Sequence, residues 1–134
     1  FKLAYIRYQS REDWREERDL VRCNPEFFNE PRYDSILIEG ATKDLCFGRL
    51  RALVHCIMPS GRPVGLAMVN MFTHSHWKPK TRWDGARVYK EGKDVRFVHM
   101  DLITRGALLA PAFGQTQADL HYLVDALDSD MFLR

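Results

Sequence analysis

FGRLRALVHCIMPSGRPVGLAMVNMF, residues Phe47–Phe72, is the one long hydrophobic block in the chain, and its reading decides the fold. Cys46, Gly48, Leu50, Ala52, Val54, Cys56 and Met58 are small or apolar, whereas Arg49, Arg51 and His55 fall between them. A period of two predicts a strand with one face on a core. Pro59 to Pro63 cannot continue either flanking strand and predicts a tight turn. In Val64 to Phe72 both phases are apolar, which places that strand in the middle of a sheet or barrel wall. Leu50, Val54, Leu66, Met68, Val98 and Val124 are the expected core.

Outward from this hairpin the elements are shorter. Phe1 to Tyr8 alternates weakly, as an edge strand or extended arm. Ser10 and Asp13 form an S-x-x-D helix-start signal, which predicts a helix over 11–22 with Arg11, Arg15, Arg18 and Arg22 on one outward face and Trp14 packed inward. Residues 23–34 read as a loop pinned by Phe27 and Phe28, and 35–39 as a short strand. Further strands are expected at 87–90, 95–104, 106–110 and 120–127, with Glu91 to Asp94 as a turn. The architecture expected is mainly β (α+β): a small barrel or strongly curved antiparallel sheet with one N-terminal helix. Residues 1–34 would pack as arm, helix and loop on a barrel formed by 35–134, in a single domain.

The 134 residues suit one domain, with 46% hydrophobic and 28% charged residues in an ordinary globular balance. A net charge of +2 is too small for a uniformly basic nucleic-acid glue. Charge is instead local. His74 to Arg96 holds seven lysines and arginines against three acids, and the tail from Gln117 is acidic. Three cysteines without C-x-x-C spacing predict reduced thiols and an intracellular protein. No apolar run reaches the roughly 20 residues of a membrane span, so no membrane partner is expected. The chain opens without a start methionine and stops after an apolar run, as expected for a domain of a larger polypeptide.

Three constellations carry candidate chemistry. Trp77, Trp83 and Tyr89 interleave with Lys78, Lys80, Arg82 and Arg87. Rings in such company stack on bases or cage a cation while the basic groups meet phosphate. The plainer alternative is that the tryptophans close the barrel mouth. His74 and His76 have metal-ligand spacing but lack two further ligands at fixed spacing, so no metal site and no cofactor is expected. Asp101, Asp125, Asp128 and Asp130 could gather for Mg²⁺, but Asp128-Ser129-Asp130 is also an ordinary turn. No catalytic residue is assigned.

WREERDLVRCNPEFF, PRYDSILIE, FGRL with the strand after it, TRGALLAP and VDALDSDMFLR together resemble a region encoded by or next to DNA transposons of mushroom-forming fungi. The resemblance is to transposase-associated proteins of the KDZ and Plavaka kind. From Ile36 onward, the order of strand pair, aromatic loop, short strand and closing strand is similar to bromo-adjacent homology (BAH) domains, the β barrels of chromatin proteins. These resemblances imply a non-enzymatic, nuclear module that binds DNA or chromatin, with nucleic acid or a histone tail as partner. A structural or oligomerisation domain and a metal-dependent nuclease fragment are the alternatives.

Overall fold

The structure is a computed structural model and describes residues 1–40, 45–77, 85–112 and 119–134. The chain runs through β1 (Leu3–Gln9), β2 (Glu16–Phe27), β3 (Glu30–Tyr33), β4 (Ser35–Ile38), β5 (Cys46–Ile57), β6 (Pro63–Ser75), β7 (Val88–His99), a 3₁₀ turn (Met100–Leu102), β8 (Ile103–Ala107), β9 (Leu109–Pro111), β10 (Leu120–Leu123) and α1 (Ser129–Phe132).

The hydrophobic block does form the central hairpin, with β5 antiparallel to β6. Gly61 sits at φ 82° in its turn, where a side chain would be strained. The large sheet has the order β8-β4-β5-β6-β7-β10-β9, all antiparallel, with β6 in the middle as its doubly apolar sequence requires. Its two outermost strands, β8 and β9, are halves of one run of chain broken only at Leu108. The sheet therefore curls until its edges nearly meet, as in a small barrel.

Leu37, Phe47, Phe72, Tyr89, Leu109 and Leu123 come from six different strands and converge on the concave side, where Met131 of α1 joins them. A second cluster lies between the barrel and a separate sheet of order β1-β2-β3. Ile6, Val21 and Cys23 face Ile36, Ile38, Leu50, Leu53, Ala67, Val69 and Ile103 there. All four residues of β4 are buried, because Leu37 serves one core and Ile36 and Ile38 the other.

Four sequence expectations change. The helix over 11–22 is instead a turn and the first half of β2. Ser10 and Asp13 do bond nearby amides, but those of Glu12 and Arg15, which closes a turn rather than starting a helix. Tertiary pairing with β1 then overrides the helical propensity of Glu and Arg, since a strand places Val21 and Cys23 on the core. Trp14 ends exposed at φ 63° in that turn.

The loop at 23–34 is the β2–β3 hairpin, turning at Phe28 and Asn29 with φ 49° and 66°. Phe28 pins nothing; it is 86% exposed. Glu91 to Asp94 is a bulge inside one continuous strand, β7. Gly92 is needed there because a Cβ would come 2.9 Å from the Met71 carbonyl oxygen.

The expected core is right at Leu50 and wrong in phase beyond it. The register shifts between Leu50 and Ala52, so one extra residue, Arg51, moves the next inward position of β5 to Leu53, while on β6 the other apolar phase, Ala67 and Val69, faces the core. Val54, Leu66, Met68, Val98 and Val124 are only half-buried. Phe97 (62% exposed) and Val95 leave the outer face of this hairpin extension open to solvent.

These burials order the mutational costs. Phe47→Ala, at a fully buried ring, should cost about 3–5 kcal/mol, and Leu66→Ala clearly less. Urea unfolding curves of the two variants check this, and equal losses would contradict the shifted phase.

Candidate functional site

Of the seven residues expected at the aromatic-basic loop, Lys78, Lys80, Arg82 and Trp83 lie outside the described residues. The other three do not assemble a surface. Trp77 packs against Val88, Ala112 and Leu120, as a barrel-mouth residue would. Tyr89 is 6% exposed, with its ring edge-on to Phe47 at 4.8 Å, and is a core residue rather than a ligand platform. Arg87 bonds Asp125 at 2.8 Å and the Met131 carbonyl at 3.4 Å.

The aspartates are likewise engaged. Arg105, nearly buried, holds Asp128 at 2.6 Å, Asp130 at 2.8 Å and Asp19 at 3.2 Å. Arg134 also bonds Asp130 at 2.6 Å, and the Arg11 amide donates to Asp130 at 2.6 Å. Burial would push the Asp130 carboxyl up, but its hydrogen bonds from Arg134, the Arg11 amide and Arg105 outweigh that and hold it below the usual carboxylate range. Burial also opposes the charge on Arg105, and the bonds to Asp128 and Asp130 more than offset it. Asp101 stands apart beside His99. His74 and His76 lie ring to ring at 5.3 Å. Among the described residues, no group of three or more His, Cys, Asp or Glu is placed to hold a metal ion.

A second polar knot lines one part of the concave face. Arg49 donates to Glu91 at 2.9 Å and to the Tyr33 carbonyl at 2.9 Å, Arg51 donates to Glu91 at 3.2 Å, and the His121 Nε2 lies 3.3 Å from Arg49. Its groups satisfy one another.

The surface with charge to spare is the outer face of the β1-β2-β3 sheet. Strand alternation turns Ala4, Ile6 and Tyr8 inward and Leu3, Tyr5 and Arg7 outward. On β2 it turns Val21 and Cys23 inward and Arg18, Leu20 and Arg22 outward. Arg7 thus stands directly opposite Arg18. The Arg18 guanidinium lies over Tyr5 at 4.5 Å, and Arg22 and Arg32 lie over Phe27 at 5.2 and 4.9 Å. The carboxylates nearby are Glu16, 3.8 Å from Arg7, Glu17, which lines the same groove as Arg7, Glu16 and Arg18, Glu30 two residues before Arg32 on β3, and Asp34, 3.1 Å from Arg32.

Sequence reasoning had aligned Arg18 and Arg22 on one face but set them on a helix. It therefore missed Arg7, Arg32 and the rings, which only cross-strand pairing brings in. The signal that could have found them is the alternation Arg18, Leu20, Arg22 against Asp19, Val21, Cys23. In the comparisons with known proteins, no family model, no curated relative and no solved structure matches the chain.

The Asp130 environment gives a pH signature. A carboxyl held lower in the folded than in the unfolded state contributes its full stability above the unfolded value of about 3.9, and loses it as pH falls through the depressed one. Asp130→Asn should cost about 3 kcal/mol at neutral pH and flatten the acid loss below about pH 4. Urea titrations between neutral and acid pH measure both effects, and an unchanged acid limb would contradict the assignment.

Proposed function

We propose that this chain is a non-enzymatic nucleic-acid-binding module that holds the phosphate backbone on the outer face of β1-β2-β3. The observation that carries this reading is the crowding of Arg7, Arg18, Arg22 and Arg32 on one sheet face, with Arg7 and Arg18 in direct cross-strand register. Like charges placed opposite one another work against a sheet. The Glu16 contact relieves Arg7 only weakly, because both side chains are largely in water. A polyanion supplies the missing counter-charge and gains entropy from released counterions.

Binding is favoured over catalysis because the carboxylates a metal nuclease would use are engaged by Arg105, Arg134 and Arg87. DNA, free or in chromatin, is the partner that the resemblance to transposon-encoded proteins implies, with the nucleus as the place of action. On sequence grounds Lys78, Lys80, Arg82 and Trp83 stay in the reading as a second basic contact. A histone-tail cage is less favoured, since Tyr89 and Trp77 are taken up by packing.

Fluorescence anisotropy with labelled DNA, from low to physiological salt, tests the proposal. Affinity should fall steeply with salt, and changing Arg7, Arg18, Arg22 and Arg32 to glutamine should reduce the logarithmic salt slope by about one per arginine. Absence of binding at low salt, or a slope unchanged in the fourfold variant, would overturn it.

A further inference from the structure

Two aromatic residues sit where the backbone disfavours them. Trp14, at φ 63°, is 69% exposed in the turn before β2, and Phe28, at φ 49°, is 86% exposed in the turn after it. Left-handed backbone costs a bulky residue stability, and such outliers cluster at functional positions. The β2–β3 connection has two residues, both at positive φ, the form in which Asn-Gly is strongly preferred. Asn29 fits that preference and Phe28 does not. Phe28 recovers little by burial, since it is nearly all in solvent; its ring meets Phe27 edge-on at 4.6 Å. Phe27 in turn lies beneath the guanidinium groups of Arg22 and Arg32. Tyr5, 57% exposed, stands under Arg18 on the same sheet.

Exposed rings and arginines therefore recur across the sheet: Tyr5 of β1, paired with Leu20, falls between Arg18 and Arg22 of β2, and Phe27 and Phe28 follow Arg22. Trp14 and Phe28 lie just beyond opposite ends of β2, whose 12 residues span about 40 Å at some 3.3 Å per residue. That is a track for several nucleotides. Duplex DNA offers its phosphates to such a track but keeps its base faces stacked on one another. Unpaired bases have free faces, which aromatic side chains take up whatever the sequence.

We infer that the nucleic acid bound on this sheet is single-stranded, with unpaired bases stacked on Phe28, Trp14 and Tyr5 while the arginines between them meet the phosphates. The inference rests on the nucleic-acid reading above and adds the class of strand.

The test compares a labelled oligothymidine of about 20 nucleotides, longer than the 4–16 nucleotides such sites cover, with a duplex of equal length. The proteins are wild type, Phe28→Asn, Trp14→Ala, Tyr5→Ala, the ring-conserving Phe28→Tyr and the fourfold arginine-to-glutamine variant. Wild type should prefer the single strand. Each loss of a ring should weaken single-strand binding roughly 5- to 150-fold, with little change in duplex binding or salt slope, and Phe28→Tyr should keep most of the affinity.

Phe28→Asn should also melt higher than wild type, since asparagine suits that backbone, so a loss of binding there is not a loss of fold. Ring variants that bind the single strand as tightly as wild type, while the arginine variant does not bind, would overturn the inference and leave the nucleic-acid reading standing. Absence of binding to either oligonucleotide would remove both. Ring-dependent binding to phosphatidylserine vesicles without oligonucleotide binding would assign the tips to a membrane surface and overturn the inference as well.

Discussion

Arg105 sits where three parts of the chain meet. Asp19 comes from the N-terminal sheet, Arg105 itself from the barrel strand β8, and Asp128 and Asp130 from the segment leading into α1. Its guanidinium also lies 4.6 Å over the Tyr8 ring, with Arg134 over the same ring at 5.7 Å. Burial pushes the Tyr8 hydroxyl up against the pull of Arg105. A charge this deeply placed is tolerable only when its donors are used, and they are: carboxylates take several, and Asp19 also accepts the Gly106 amide at 2.9 Å. The net gain over an apolar substitute is small by general experience, but losing one partner would strand the rest. The network thus fixes where the hairpin and the C-terminal turn sit, more than how stable the molecule is. The apolar cores could tolerate several placements of a three-stranded sheet; the directional bonds from Arg105 to Asp128 and Asp130 and from the Gly106 amide to Asp19 select one.

This division of labour explains why the same residue type reads in two ways. Arg105 and Arg134 are consumed by carboxylates on the inner side of the hairpin, and Arg49 and Arg51 by Glu91 inside the barrel. Arg7, Arg18, Arg22 and Arg32 are left on the outer side, where a strand period of two carries them away from Asp19 and the buried network. A near-neutral chain can therefore gather four arginines on one sheet face, although Glu16, Glu17, Glu26 and Glu30 lie on the same strands and only Asp19 among the sheet's acids is committed to Arg105.

How much of this could be read from residues follows from the range of the interactions. Phe47–Phe72 announced its hairpin because its turn and period are local, and β6 took the central place its two apolar phases demand. Barrel closure was legible only as a class, since the bend at Leu108 that brings β8 and β9 round to each other is a tertiary event. The register shift at Arg51 was invisible: one extra residue reverses the inward set of β5 without altering the pattern of residue types. The N-terminal segment misled for the opposite reason. Its Glu and Arg content favours helix locally, and only the buried faces of Val21 and Cys23, matched by Ile6 across the pair, make the strand win. The outer arginine face depended on that strand and was hidden with it, whereas the aromatic-basic loop was conspicuous in sequence although two of its rings serve packing.

The two strained aromatic tips gain their meaning from the same accounting. A non-glycine residue held in left-handed backbone costs of order 1–3 kcal/mol, against a total stability near 5–15 kcal/mol for a domain. Such a cost persists when the surroundings over-determine the geometry. Here β2 is paired with β1 along residues 16–22 and with β3 from Cys23 to Phe27, its inner face is buried through Val21 and Cys23, and Asp19 accepts the Gly106 amide and faces Arg105. The turns at its ends have little freedom to relax without unpairing the strand. Rigidity of that kind is useful for presenting a ring to a ligand, because the orienting entropy is already spent in folding. A core with only apolar contacts beneath this hairpin would let the tips sway. The buried charge network adds directional bonds beneath the Trp14 half of β2, where Asp19 accepts the Gly106 amide and Asp130 accepts the Arg11 amide.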